Sequence, residues 1–143
     1  MVITIDPGSK DPLYQQIRSQ IIEAIACGEL VEGDSLPSVR SLGDDLGINL
    51  HTVNKAYAVL RDEGYLTMRG RAGAVVAPRG SASVERRAKE QDQLMGEELR
   101  RLALACKARG GTRGSFLEEA ARQADEVFGA ERHDAAVAAE ERR

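Results

Sequence analysis

LGINLHTVNKAYAVL, residues 46–60, reads as a short helix entered through a glycine. Val53, Ala56, Tyr57 and Leu60 recur at i, i+3, i+4 and i+7, so one face is apolar. The opposite face carries His51, Thr52, Asn54 and Lys55, all able to donate hydrogen bonds, and no carboxylate follows until Asp62. Such a face suits a partner rich in hydrogen-bond acceptors.

The residues before it complete a motif. Ser38, after Pro37, can cap a helix whose Val39, Leu42 and Leu46 face inward. Gly43 stands where this helix would cross the next, Gly47 permits the reversal between them, and Asn49 can cap the second. With Ile48, Val53 and Ala56 these positions make a helix-turn-helix pattern. Downstream, two β-rich runs, 65–68 and 74–77, flank a turn containing Gly70 and Gly73, and Pro78 ends the second. A hairpin there makes the motif winged.

Upstream, Asp11 is expected to cap a helix with Pro12 at its first position. Leu13, Ile17, Ile21 and Ile25 form its inner stripe, widened by Tyr14 and Ala24, and Gly28 closes it. Leu30 and Leu36 anchor the following loop, and MVITID at the start reads as a short strand. The expected order over residues 1–77 is β-α-α-α-β-β.

A linker, 78–81, looks like a hinge, and from there the composition changes to a long charged helix. Met95, Leu99, Leu102 and Cys106 follow a 4-3-4 spacing that resembles a heptad seam. After GGTRGS, Ser115 and Glu118 are expected to form a capping box for another helix, with Leu117, Ala120, Ala121, Ala124 and Phe128 inward. Two helices alone have little to pack against. The expectation is therefore a dimerisation domain over 82–129, with Met95, Leu99, Leu102, Cys106, Leu117, Ala121 and Ala124 meeting their copies in a second chain. The alanine- and charge-rich tail, 130–143, is expected to be frayed or weakly helical. The fold class is thus α+β, mainly α: an N-terminal winged helix-turn-helix domain and a small two-helix C-terminal domain.

Composition bounds the function. The chain has 143 residues and a net charge of −3, which argues against an indiscriminate polyanion binder. Only 7 basic residues against 10 acidic ones precede Pro78, so any nucleic-acid site depends on where the charges stand. No apolar run approaches the roughly 18 residues a membrane span needs, and no secretory signal is evident, so a cytoplasmic protein is expected. Cys27 and Cys106 lack a partner motif and read as small buried hydrophobes, and no metal or cofactor is expected. No nucleophile–base pair or carboxylate pair stands out, and GRAGAV lacks the helix that a phosphate-cradling loop requires, so an enzyme is not expected.

Double-stranded DNA fits better. The N-terminal half of a recognition helix enters a major groove, where asparagine reads adenine and threonine or histidine meets bases or phosphates. Arg40 is placed to pair with a backbone phosphate, while Arg69 and Arg71 bracket Gly70 at the wing tip, where a guanidinium could enter a minor groove. Lys55 reads equally as a DNA contact or a solvated lysine. The acids Asp44, Asp45, Asp62 and Glu63 lie towards the other helix ends.

The segment PLYQQIRSQIIEAIACGEL, the run GDSLPSVRSLGDDLGINLHTVNKAYAVLRDEGYL and the end GRAGAVVA closely resemble the N-terminal domain of GntR-type bacterial transcription regulators. LPSVR and TVNKAY are the most specific parts, and the short remainder is similar to the YtrA-like branch, whose members carry a small two-helix dimerisation domain and often lie near transporter genes. The resemblance implies phosphate contacts from Ser38 and Arg40, base or backbone contacts from Asn49, His51, Thr52 and Asn54, and a minor-groove contact around Arg69 and Gly70. Many members have arginine where this chain has Leu50 and Asn54. The implied function is a dimeric repressor on an inverted repeat, with its own promoter and a neighbouring transporter operon as candidate targets. A winged-helix adaptor that binds protein is the competing reading. A small-molecule effector is left open, with a cleft near Met95, Leu99 and Phe116 as its candidate place.

Overall fold

The computed structural model describes residues 1–70, 73–78 and 82–141. It divides into two compact units, Met1–Asp92 and Gln93–Arg143.

The first unit is built on three helices, α1 (Leu13–Ala26), α2 (Val39–Leu46) and α3 (Leu50–Asp62), followed by the strands β1 (Leu66–Met68) and β2 (Ala74–Val76). Its core draws on every one of them. Ile17 and Ile21 from α1, Val53, Ala56 and Leu60 from α3, and Leu66 from β1 are wholly excluded from solvent, joined by Leu42 from α2 and Leu30 and Leu36 from the intervening loop. The i, i+3, i+4, i+7 face of residues 53–60 is therefore the central wall of the domain. Fully burying each large aliphatic side chain contributes roughly 1.5–3 kcal/mol.

Gly43 lets α2 and α3 meet. A Cβ there would stand 3.1 Å from the Ile48 carbonyl oxygen and 3.4 Å from the Leu50 Cα, so any larger residue would push the helices apart. Gly47 turns the chain between them at a φ of 67°, in the left-handed region that glycine enters without steric cost.

The hairpin pairs antiparallel, Leu66 with Val76, Thr67 with Val75 and Met68 with Ala74. The far side of β2 is also occupied. Leu36 N–H donates to the Ala74 carbonyl at 2.9 Å and Val76 N–H to the Asp34 carbonyl at 2.9 Å, so the loop after α1 adds a third short edge. Leu36 is thereby anchored, as its hydrophobicity predicts.

Two expectations for the N-terminus are corrected. Residues 1–6 form no strand. Their backbone is paired with side-chain amides of α1 instead: Gln20 accepts from Thr4 N–H at 2.9 Å and donates to the Thr4 carbonyl at 2.7 Å, and Gln16 treats Asp6 the same way at 2.8 and 3.0 Å. A primary amide offers one donor and one acceptor, as an extended backbone does, so the arm lies along the helix without a ladder. Pro12, not Asp11, is the N-cap of α1, and no side chain caps that end.

α4 (Ala82–Ala108) opens against the first unit. Arg87 donates to the Arg61 carbonyl at the end of α3 at 3.1 Å, and its side chain lies over Gly64. The compact unit accordingly reaches Asp92, past the expected linker, of which residues 79–81 lie outside the described residues. A bidentate pair between Arg18 and Glu63 ties α1 to the same end of α3.

In the second unit, Gly110 and Gly111 turn α4 into α5 (Arg113–Glu141). Cys106 is buried within the chain at this turn, where a Cβ on Gly111 would stand 2.8 Å from the Cys106 carbonyl oxygen and still closer to its sulfur. Cys106 thus packs at the turn between the two helices. Cys27, expected buried, is exposed. The capping box also moves, because Thr112 Oγ1 accepts from Ser115 N–H at 3.1 Å and Ser115 Oγ accepts from Thr112 N–H at 2.9 Å. Thr112 starts the helix three residues before Ser115, leaving Glu118 outside the box. α5 continues beyond Gly129 to Glu141, with helical geometry interrupted at Phe128 (φ −109°, ψ 17°), as its alanine-rich composition allows.

Candidate nucleic-acid interface

Two capped helix starts define the candidate surface. Ser38 accepts from Ser41 N–H at 3.0 Å through its hydroxyl oxygen, and Asn49 accepts from His51 N–H at 2.9 Å through Oδ1. Both caps are those expected from the residues. Each leaves donors over, the hydroxyl hydrogen of Ser38 and the amide NH2 of Asn49, beside helix N-termini whose dipoles favour anions.

Arg40 is the second residue of α2 and is exposed. On α3, His51, Asn54 and Lys55 are exposed, Thr52 is half-buried, and Leu50 shows 39% of its surface at the start of the helix. The division predicted for residues 50–60, an apolar wall and a donor-bearing front, is what the structure has. Arg69 and Gly70 sit in the exposed hairpin turn, where Arg69 N–H donates to the Gly73 carbonyl at 2.9 Å and Gly70 adopts a φ of 50°. Arg71 lies outside the described residues. Among the described residues, the ion pairs engage Arg18, Arg61 and Arg122 and leave Arg40, Lys55 and Arg69 without a carboxylate partner.

Two tyrosines, read from the sequence as core residues, also organise this surface. The Tyr57 hydroxyl donates to the Pro37 carbonyl at 2.8 Å, which joins α3 to the residue immediately before the α2 cap. Burial pushes its pKa up to about 12. A buried tyrosine on an apolar stripe needs a partner for its hydroxyl, and that requirement was the available signal. Tyr14 of α1 lies under Lys55, whose Nζ stands 4.1 Å from the ring centroid. Residues 41 positions apart give no local sign of such a contact.

The remaining chemistry is sparse. Among the described residues no group of His, Cys, Asp and Glu could hold a metal ion, and no helix is long and apolar enough to cross a membrane. Met95, Leu99, Leu102 and Leu117, together with Ala121 and Ala124, are exposed on the second unit.

Comparison with known proteins agrees with this architecture. The family described as "Bacterial regulatory proteins, gntR family" matches residues 13–76. The HTH-type transcriptional repressor YtrA of Bacillus subtilis is 46% identical over 71 residues, covering 49% of this chain and 55% of that protein, so the chain spans about half of that relative. The HTH-type transcriptional regulator YhcF of the same organism is 30% identical over 110 residues, 77% of this chain and 88% of its own. Among solved structures, YtrA from Sulfolobus acidocaldarius, a GntR-family transcription factor, is similar at 38% identity and a TM-score of 0.56, with 87% of this chain and 98% of that one covered. The chain therefore belongs to the GntR family of bacterial transcription regulators, in its YtrA-like form.

Proposed function

We propose that this protein is a dimeric repressor that reads an inverted-repeat operator, with its own promoter as the first candidate target. The observation that carries the reading is the exposed front of α3, supplied with donors from Asn49 to Lys55 and flanked by Arg40 at the start of the neighbouring helix. Ser38 and Arg40 hold phosphates, Asn49, His51, Thr52 and Asn54 meet bases or backbone, and Arg69 and Gly70 approach the minor groove. The exposed leucines of the second unit supply the contact between two copies. Half-sites then lie about 10 base pairs apart, or a multiple of that.

The test is anisotropy binding to duplex DNA from immediately upstream of the gene, with a scrambled duplex and a salt series beside it. Salt-sensitive binding that rejects the scramble supports the reading, whereas equal, salt-insensitive binding to both would sink it. Arg40→Ala should weaken all duplexes alike and lower the salt slope by about 0.9, because a phosphate contact carries no sequence information. Asn54→Ala should cost about 1–3 kcal/mol of discrimination at one or two base positions.

A further inference from the structure

The contact between Tyr14 and Lys55 points beyond the helix-turn-helix itself. Tyr14 belongs to α1, is half-buried and packs against the core cluster, so its ring is held in place. Lys55 is exposed on α3, one turn after His51 and on the same side of the helix. A lysine on such a surface ordinarily samples many rotamers, and fixing it on binding costs entropy. Here the ammonium already rests over an aromatic face at 4.1 Å.

We propose that Tyr14 is a positioning residue of the DNA interface, which holds Lys55 in the conformation that meets a backbone phosphate. The inference rests on the DNA-binding reading above and extends it to α1. The ring uses one side of the ammonium, and the ammonium carries three N–H donors, so a phosphate oxygen can be bound without breaking the contact. The attraction acts through the ring quadrupole, so the aromatic face is required and the phenol hydroxyl is not.

A double-mutant cycle on the full chain tests this. The probe is a labelled duplex enriched by the wild-type chain from a random-sequence pool, and each variant is titrated across a salt series. Lys55→Ala should lower the salt slope by about 0.9, the signature of one phosphate lost. Tyr14→Leu, which keeps the apolar packing, should weaken binding about two- to fivefold. Tyr14→Phe should bind as wild type does. In the Lys55→Ala background, Tyr14→Leu should cause no further loss. If the loss persists undiminished there, Tyr14 acts through the fold and not through Lys55, and the inference is overturned. Tighter binding by Tyr14→Leu would overturn it too, since the ring would then compete with DNA for the ammonium. A wild-type chain with no salt-sensitive duplex binding overturns the DNA reading and this inference together, whereas an uncoupled cycle on a chain that does bind overturns the inference alone.

Discussion

The two units of this chain treat their large apolar residues in opposite ways. In the first, Ile17, Ile21, Val53, Leu60 and Leu66 are withdrawn completely from water. In the second, Met95, Leu99, Leu102, Leu104 and Leu117 each show 44–55% of their surface. The difference is geometric. Three helices and a hairpin surround an interior, so a stripe on one element always finds another opposite it. Two helices joined by one short turn have no such enclosure, and Cys106 at that turn is the buried residue among those described in that unit. The first unit closes its own core, whereas the second leaves a surplus of large apolar surface exposed, which is what the proposed dimer contact draws on.

The contrast breaks most visibly at Leu99. Leu99→Asp should leave the melting of the winged domain unchanged and convert the chain to a monomer by light scattering. Loss of the paired heads should then weaken operator binding by roughly 10²–10⁴-fold. An unchanged mass would leave the exposed leucines without the role proposed for them.

Leu60→Ala addresses the other side of the comparison. It hollows a closed core and should cost about 2–5 kcal/mol in urea unfolding at any protein concentration. By contrast, stability that comes from the proposed contact at Leu99 should vary with protein concentration in the wild type and lose that dependence in Leu99→Asp, as expected when folding and association are linked.

At the end of α3 the expected effects are smaller. Gly64 adopts a φ of 92°, and a Cβ there would meet the Arg87 side chain at 3.0–3.2 Å. Gly64→Ala should therefore cost about 1–3 kcal/mol by backbone strain, read by thermal melting. A neutral result would mean that the backbone at residue 64 relaxes out of the left-handed region and that the Arg87 side chain gives way.

Tyr57→Phe should have the smallest effect at neutral pH, roughly 0.5–1.5 kcal/mol for one hydrogen bond. Its sharper signature is alkaline. The folded chain holds the Tyr57 proton to about pH 12, against 10 in the unfolded chain, so this residue's contribution is complete below pH 10 and is lost as pH rises to about 12. The phenylalanine variant should lose less stability across that window in alkaline titrations followed by circular dichroism.

Much of the winged domain was legible because its signals are short-range. Ser38 and Asn49 cap the helices they precede, Gly43 lies at the crossing, and residues 53–60 face inward as their spacing requires. Less was legible where a local pattern had two physical solutions. The alternation of MVITID suits a strand, yet Gln16 and Gln20 satisfy the same backbone groups from a helix. Ser115 can cap a helix, but Thr112 reaches the free N–H groups first. The candidate DNA front followed the same rule: its exposed residues could be read from the helical period, while its supports could not.

Residue order alone therefore determined the helices of the winged domain, the caps at Ser38 and Asn49, the reversal at Gly47 and the polar front of α3, because each depends on neighbours within a few positions. Tertiary structure alone decided that Tyr57 fastens Pro37, that Tyr14 carries Lys55, that Arg18 meets Glu63 and that Cys106 closes a turn. Most of these join groups 20 to 45 residues apart. Their partners are selected by how whole helices pack, and only the folded chain brings their side chains within reach of one another.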